Sequence, residues 1–128
     1  MIEKIALSDR LEERLIEFAA RIIFLASKLA KGFQGGHITN QLVRCATAAA
    51  ANYAEARGAE SRADFIHKMK IVQKELNETL VWLRIIVKSG LVRGELMTEV
   101  IAENKELCRM IGASVRTARR RGSALTNP

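Results

Sequence analysis

The stretch AAAANYAEARGAESRADFIHKMK, from Ala48 to Lys70, contains the end of one predicted helix and the start of the next. Gly58 suits the left-handed backbone that often ends a helix. Ser61 followed three residues later by Asp64 is a variant of the capping box that begins one. Alanines before this turn let a neighbouring helix pack closer than leucines would. The stretch therefore predicts two closely packed helices joined by a short turn.

Apolar residues continue at alternating steps of three and four on both sides of this turn, which is the period of helices that face one another. Asp9 with Glu12 predicts a capping pair at the start of the first helix, and Gly32, Gly35 and Gly36 predict its end. We predict helices over residues 9–31, 38–57, 62–89 and 95–121. Four helices with short connections favour an all-α fold, an antiparallel up-and-down four-helix bundle, with residues 1–128 forming a single domain.

Polar residues at the end of the second helix interrupt this apolar pattern. The spacing from Leu42 and Cys45 places Asn52 on the seam between helices, where an amide without hydrogen-bond partners costs about 1–3 kcal/mol. We therefore predict that Asn52 sets the register of packing. Glu55 lies one turn later and could share this face, with Arg57 and Arg62 as neutralising partners. The alternative is that Glu55 is a solvated residue at the helix end.

The segment QLVRCATAAAANYAEARGAESRADFIHKMKIVQKELNETLVWLRII resembles a bacterial four-helix-bundle family. Its S23-like members were first noticed as reading frames inside intervening sequences of large-subunit ribosomal RNA genes, and it includes the accessory protein of diversity-generating retroelements. The elements that carry the resemblance are Arg44, the run Asn52-Tyr53-Ala54-Glu55, Ser61, Phe65 and Glu75. The sequence departs from the family pattern with Ala56 in place of Gly and Cys45 in place of Ala.

This resemblance implies a four-helix bundle that forms a ring-shaped homo-oligomer, commonly a homopentamer. It also implies a structural polar motif, here Arg44, Asn52, Glu55, Arg62 and Glu75. The retroelement accessory protein binds a reverse transcriptase and nucleic acid through a basic surface, which makes these the implied partners. Independently of the resemblance, Ile16, Ala19, Ile23 and Ala26 give the first helix a second apolar flank, which is what subunit association requires.

Composition limits the class of protein. With 48% hydrophobic and 27% charged residues, the chain is typical of a globular domain. Its N-terminus reaches acidic residues at once, so we expect no signal peptide and a cytoplasmic location. The uncharged, alanine-rich stretch from Cys45 to Ala54 is well short of the about 20 apolar residues that cross a bilayer. The two cysteines, Cys45 and Cys108, are far apart and predict reduced thiols rather than a disulfide or zinc site.

No arrangement of residues predicts an active site. His37, placed before the second helix, and His67, early in the third, have no cysteine or carboxylate cluster at metal-ligand spacing. Asp64 and His67 could form a pair, but no nucleophile accompanies them. A phosphate-binding GxxxxGK[ST] motif is also missing from the sequence. We therefore expect no enzyme activity, no metal and no cofactor.

The charge is the stronger functional indication. The net charge of +7 favours acidic partners such as nucleic acid. Basic residues recur every seven positions along the first helix and cluster in the acid-free end of the fourth. The residues predicted to bind nucleic acid are Arg14, Arg21, Lys28, Arg109, Arg116, Arg119, Arg120 and Arg121. Any one of them is more typical of an ordinary solvated helix face, but the C-terminal arginines as a group favour binding.

Aromatic residues make up only 5% of the chain, so binding should occur through the nucleic-acid backbone, with strong salt dependence and little sequence preference. The preferred interpretation is a non-enzymatic, oligomeric helical adaptor that presents a basic surface to DNA or RNA or to a nucleic-acid enzyme. The alternative is a structural or regulatory protein–protein interaction module that binds no nucleic acid.

Overall fold

The computed structural model describes residues 2–29 and 32–126, and every regular element in this part is a helix. The elements are α1 (Ile2–Ala26), α2 (Phe33–Arg57), α3 (Arg62–Ser89) and α4 (Glu95–Thr126). The predicted all-α four-helix bundle is therefore confirmed. The predicted bounds of α3, the end of α2 and the start of α4 agree with the structure. The left-handed backbone expected at Gly58 was wrong, because this residue has a φ of −95°.

The other helix ends differ from the prediction. Helix α1 begins at Ile2, so Asp9 lies inside it, and the predicted capping pair of Asp9 and Glu12 was wrong. Helix α1 ends at Ala26, and Ser27 and Lys28 already form a turn. Residues 30–31, which the prediction included, lie outside the described part.

The connection between α1 and α2 contains a glycine in a backbone conformation that other residues rarely adopt. Gly32 adopts a φ of 127°, which glycine tolerates without strain. Gly35, Gly36 and His37 lie inside α2, which starts at Phe33 rather than at residue 38. Two glycines lower helix propensity without preventing a helix that packs against its neighbours. The C-terminal arginines likewise do not stop α4, which continues past residue 121 to Thr126.

Interhelical contacts show that sequential helices run antiparallel. Along each pair, a higher residue number on one helix meets a lower number on the other. The contacts that establish this order are Arg57–Asp9 for α1 and α2, Glu55–Lys68 and Arg44–Glu75 for α2 and α3, Arg62–Ala118 and Asn77–Cys108 for α3 and α4, and Arg14–Glu103 for α1 and α4. The helices therefore follow one another around the bundle, and α4 returns to α1.

A single apolar core joins the four helices, with Phe18, Leu42, Leu76 and Leu107 among its fully buried side chains. The small residues of α2 face this core: Ala46, Ala49 and Ala56 are buried, together with the larger Tyr53. This explains the alanine-rich stretch, because small side chains on the inner face of α2 allow α1 and α3 to approach it closely. None of the described helices is apolar over enough length to cross a bilayer.

Candidate nucleic-acid interface

The seam between α3 and α4 positions the main basic surface of the protein. The Cys108 thiol of α4 lies 3.6 Å from Oδ1 of Asn77 on α3. One turn further along α4, a Cβ on Gly112 would lie 3.3 Å from the side-chain nitrogen of Gln73 on α3. Asn77 and Gln73 therefore mark the edge of α3 that borders α4, and Cys108 and Gly112 mark the facing edge of α4.

Basic residues flank this seam at helical spacing. Lys70 and Arg84 are seven residues before and after Asn77, and Lys105 and Arg119 are seven residues before and after Gly112. Seven residues are close to two helical turns, so these side chains share the edges that the two seam residues mark. At the end of the bundle, Arg62 Nη1 donates to the carbonyl oxygen of Ala118 at 3.2 Å and joins the α4 arginines. We define the α3–α4 basic face as Arg62, Lys70, Lys74, Arg84, Lys88, Lys105, Arg116, Arg119 and Arg120.

Acidic residues of α3 and α4 point elsewhere. Glu75 and Glu78 of α3 both contact Arg44, so they face α2. Glu103 of α4 contacts Arg14, so it faces α1; Glu95 and Glu99 precede it, and Glu106 follows it, at steps of three or four on the same side. None of the nine residues of the α3–α4 basic face lies within 4.0 Å of a carboxylate oxygen of a described residue. Their fields therefore add over a surface where acids do not offset them.

Two residues predicted to bind nucleic acid are already paired with carboxylates. Arg14 forms a two-point interaction with Glu103, at 3.0 Å from Nε and 2.6 Å from Nη2, and this hydrogen bonding raises the pKa of Arg14. Arg109 binds Glu106 in the same way, at 3.0 and 2.6 Å, and thereby lowers the pKa of Glu106. A phosphate would have to compete with a carboxylate at either arginine.

The structure does not bring the remaining α1 residues to the α4 arginines. Arg14 meets the middle of α4, and because the two helices are antiparallel, Arg21 and Lys28 lie towards the start of α4. Both are exposed, and Lys28 Nζ lies 4.7 Å above the Phe24 ring. Arg121 lines a different groove, which Leu7 of α1 and Phe65 of α3 line as well. The predicted set is therefore distributed over two surfaces, and only Arg116, Arg119 and Arg120 belong to the α3–α4 basic face.

Sequence reasoning missed the basic residues of α3 and the first half of α4. These residues are Lys70, Lys74, Arg84, Lys88 and Lys105. Glu75 and Glu78 interrupt the basic residues along the chain, and only the fold shows that these acids face another helix. The heptad spacing of Lys70 and Arg84 around Asn77 was the signal that could have found them.

The polar motif expected from the resemblance is arranged in three separate contacts. Arg44 bridges α2 to Glu75 and Glu78 of α3, with Nη1 3.2 Å from the buried Glu75 carboxylate. Glu55 is exposed and lies 3.6 Å from Lys68, so the predicted partners were wrong. Arg57 instead binds Asp9 at 2.7 Å, and Arg62 binds the end of α4.

Asn52 does not contact another helix of the described part through a hydrogen bond, as a residue that sets the packing register would. It is half-buried, and its amide donates to the carbonyl oxygen of Ala48 at 2.8 Å, one turn earlier in the same helix. This bond stays within α2, so it does not fix α2 against another helix. The fully buried amide is Asn104 of α4, whose Oδ1 lies 3.6 Å from the Cys108 thiol. Its Nδ2 has no hydrogen-bond partner among the described residues.

A second surface, between α1 and α2, is apolar. Ile16 and Ile23 remain 47% and 50% exposed, although both are large aliphatic side chains. With Ala20, Ala51 and Ala54 they line a shallow groove of about 480 Å³. Ala19 and Ala26, which the sequence suggested for the same flank, are buried in this chain. The exposed part of the flank is therefore narrower than predicted.

The histidines and acidic residues of the described part do not form a metal site. The ring of His37 meets the ring of Trp82 edge-on, with centroids 5.7 Å apart. Within residues 2–29 and 32–126, no three His, Cys, Asp or Glu side chains converge as metal ligands would.

Comparison with known proteins agrees with this architecture. A family model described as 23S rRNA-intervening sequence protein matches residues 11–113. A crystal structure of a protein of unknown function from the S23 ribosomal protein family of Bacteroides thetaiotaomicron VPI-5482 superposes with a TM-score of 0.78 at 29% sequence identity. The match covers 85% of this chain and 97% of that one. Comparison with curated proteins finds no match.

Proposed function

Because the chain belongs to the family of 23S rRNA-intervening sequence proteins, we propose that it is a non-enzymatic, oligomeric helical adaptor that binds the nucleic-acid backbone. The binding surface is the α3–α4 basic face. The observation that supports this proposal is the arrangement of nine cationic side chains along two adjacent helices, none of them paired with a carboxylate of a described residue.

The dimensions of the face suit a polyanion. Arg62 and Lys88 are 26 residues apart on α3, which corresponds to about 39 Å of helix. One turn of duplex is about 34–36 Å long, so a duplex could contact the face over its whole length. Each phosphate contact releases condensed counterions, which makes affinity fall steeply as salt rises.

Assembly into a ring, with five copies favoured by the resemblance, forms the second part of the proposal. The apolar groove of α1 and α2 lies on the side of the bundle away from the α3–α4 seam. Contact between copies through this groove would therefore leave the basic face open. Repetition of the face around a ring would multiply its field.

The partner in the cell is proposed to be DNA or RNA, alone or together with a nucleic-acid enzyme such as a reverse transcriptase. A protein–protein interaction module without nucleic-acid binding is the second candidate. The observation that favours it is an exposed apolar pair on α3, Val81 and Ile85, which are 52% and 40% exposed. Exposed aliphatic side chains one helical turn apart are typical of a surface that docks another helix.

Fluorescence anisotropy with labelled DNA and RNA, single- and double-stranded, at two salt concentrations tests the proposal. The informative variant replaces Arg116, Arg119 and Arg120 with Gln. Its matched control replaces Arg10, Arg21 and Lys28 of α1 with Gln, which removes the same charge from another surface. We expect salt-dependent binding that the α4 variant weakens much more than the α1 control does. Equal weakening would mean a response to net charge alone, and no binding at low salt would favour the protein-interaction module.

A further inference from the structure

A cavity opens at the end of the α3–α4 basic face, beside the turn that joins the two helices. It has a volume of about 510 Å³, and its apolar wall is formed by Val87, Val92, Met97 and Ile101. Val87 is 47% exposed, so this wall is open to solvent. Volumes of a few hundred Å³ with mostly apolar linings are typical of small-ligand sites.

Cationic side chains surround this apolar wall. Arg93 and Lys105 line the cavity itself, and an adjoining groove of about 300 Å³ is lined by Arg84, Lys88 and again Lys105. The two hollows also share Val87 and Ile101. None of these four cations lies within 4.0 Å of a carboxylate in the part of the chain that the structure describes.

A ligand that fits both hollows needs a compact apolar part and an adjacent negative charge. A nucleotide has this combination, since its base has apolar faces and its phosphate lies a few ångströms away. The Thr98 side chain lines the cavity and offers a hydroxyl group to the polar edge of a base. Because Arg84, Lys88 and Lys105 also belong to the α3–α4 basic face, a bound strand would reach the cavity without leaving that face.

We propose that this cavity receives the base of one unpaired nucleotide, with its neighbouring phosphates on Arg84, Lys88 and Lys105. This inference rests on the proposed binding of the nucleic-acid backbone. It adds that the protein prefers a strand with an unpaired end over a blunt duplex. An anionic lipid or an acidic peptide would satisfy the same charges, and either becomes the ligand to examine if the nucleotide fails the tests below.

Methyl NMR spectra of the full chain test occupancy of the cavity directly. The probes are adenosine 5′-monophosphate, adenosine and inorganic phosphate. We expect the monophosphate to shift the methyl signals of Val87, Met97 and Ile101, and phosphate at the same concentration to leave them in place. Identical spectra with the monophosphate and with phosphate, or unshifted methyl signals with both, would overturn the proposal and leave the lipid or peptide as the ligand to examine.

Binding of blunt duplexes and of duplexes with a one-nucleotide overhang tests the consequence for nucleic acid. The informative variant is Ala102→Trp, which places a bulky ring at an exposed position in the cavity lining. The control is Ala63→Trp, at an exposed position near the opposite end of α3. We expect the wild-type protein and the control to bind the overhang roughly tenfold more tightly than the blunt duplex, as burial of one base allows.

The cavity variant should bind both duplexes equally, at the affinity that the wild-type protein has for the blunt one. Equal affinity of the wild-type protein for both duplexes would overturn the cavity proposal while leaving backbone binding intact. Binding of the blunt duplex by the variant of Arg116, Arg119 and Arg120 tests the basic face alone. The difference between overhang and blunt duplex tests the cavity alone, so the two proposals fail in different measurements.

Discussion

Arg44 of α2 donates from Nη1 to the carboxylate of Glu75 on α3, at a distance of 3.2 Å. The Glu75 side chain is only 8% exposed, whereas that of Arg44 is 48% exposed. The arginine therefore reaches from the surface to a charge that water barely solvates. This contact also orients the acids of α3 towards α2, which keeps them away from the α3–α4 basic face.

Removal of the arginine should leave this carboxylate poorly solvated and without its ion-pair partner. We expect Arg44→Met to lower the free energy of unfolding by about 1–3 kcal/mol, the cost of a buried group that loses its hydrogen-bond partner. Urea denaturation at a fixed protein concentration measures the change. Adding Glu75→Leu to Arg44→Met should recover most of the loss, because an apolar pair needs no such partner. A single variant as stable as the wild-type protein would show that solvent already satisfies Glu75.

Substitution of Asn104 should change the free energy of unfolding in the opposite direction. Its side chain is fully buried, and its Nδ2 has no hydrogen-bond partner among the described residues. We expect Asn104→Leu to raise the free energy of unfolding by about 1–2 kcal/mol, since it removes an unsatisfied polar group from the core. Asn52→Leu is the matched control. It should not raise the free energy of unfolding in this way, because the Asn52 amide already bonds to Ala48 within α2. Destabilisation by Asn104→Leu would mean that the amide is satisfied and specifies the packing of α4.

These two asparagines show how far sequence reasoning extends. Helical spacing predicted the number of helices, their order and half of their ends, because a repeat of three and four residues is a local property of the chain. Spacing predicted Asn52 on a seam, but the amide that the structure buries fully is Asn104, because the burial of a side chain depends on the rotation of its helix. The basic residues of α3 were missed for the same reason: the direction of Glu75 and Glu78 depends on where α2 lies.

The thiols should react as protonated, shielded groups. Burial raises the pKa of both Cys45 and Cys108 above the ordinary value of a thiol. A raised pKa means that less thiolate is present at any given pH, and thiolate is the species that iodoacetamide alkylates. We expect Cys108, which is half-buried, to react more slowly than free N-acetylcysteine at pH 7.5 and to accelerate as the pH rises. Cys45 is fully buried and should react only after unfolding. Mass spectrometry of alkylated peptides distinguishes the two sites, and rapid labelling of Cys45 in the folded protein would contradict this picture.

Assembly should depend on the exposed apolar residues of α1. Ile16 and Ile23 are about half exposed in the single chain, and burial of the remaining half of each side chain in a subunit contact contributes about 0.8–1.5 kcal/mol. We expect Ile16→Lys with Ile23→Lys to reduce the oligomer mass measured by light scattering while leaving the helical circular dichroism signal unchanged. Val81→Lys with Ile85→Lys on α3 is the control, with the same chemical change at another exposed pair. If only the α3 pair changed the mass, the contact between copies would lie on α3 instead.

The lysines of α3 provide the sharpest test of the basic face, because the linear sequence did not predict their role. Lys70 and Lys74 are exposed, and neither lies within 4.0 Å of a described carboxylate. We expect Lys70→Gln with Lys74→Gln to weaken binding to duplex DNA and to reduce the slope of log affinity against log salt by about 1–2, since each phosphate that the protein no longer neutralises lowers the slope by about one unit. Arg10→Gln with Arg21→Gln removes the same charge from α1 and should change the slope much less. An equal reduction in the two variants would mean that binding follows net charge rather than the arrangement of cations beside α4.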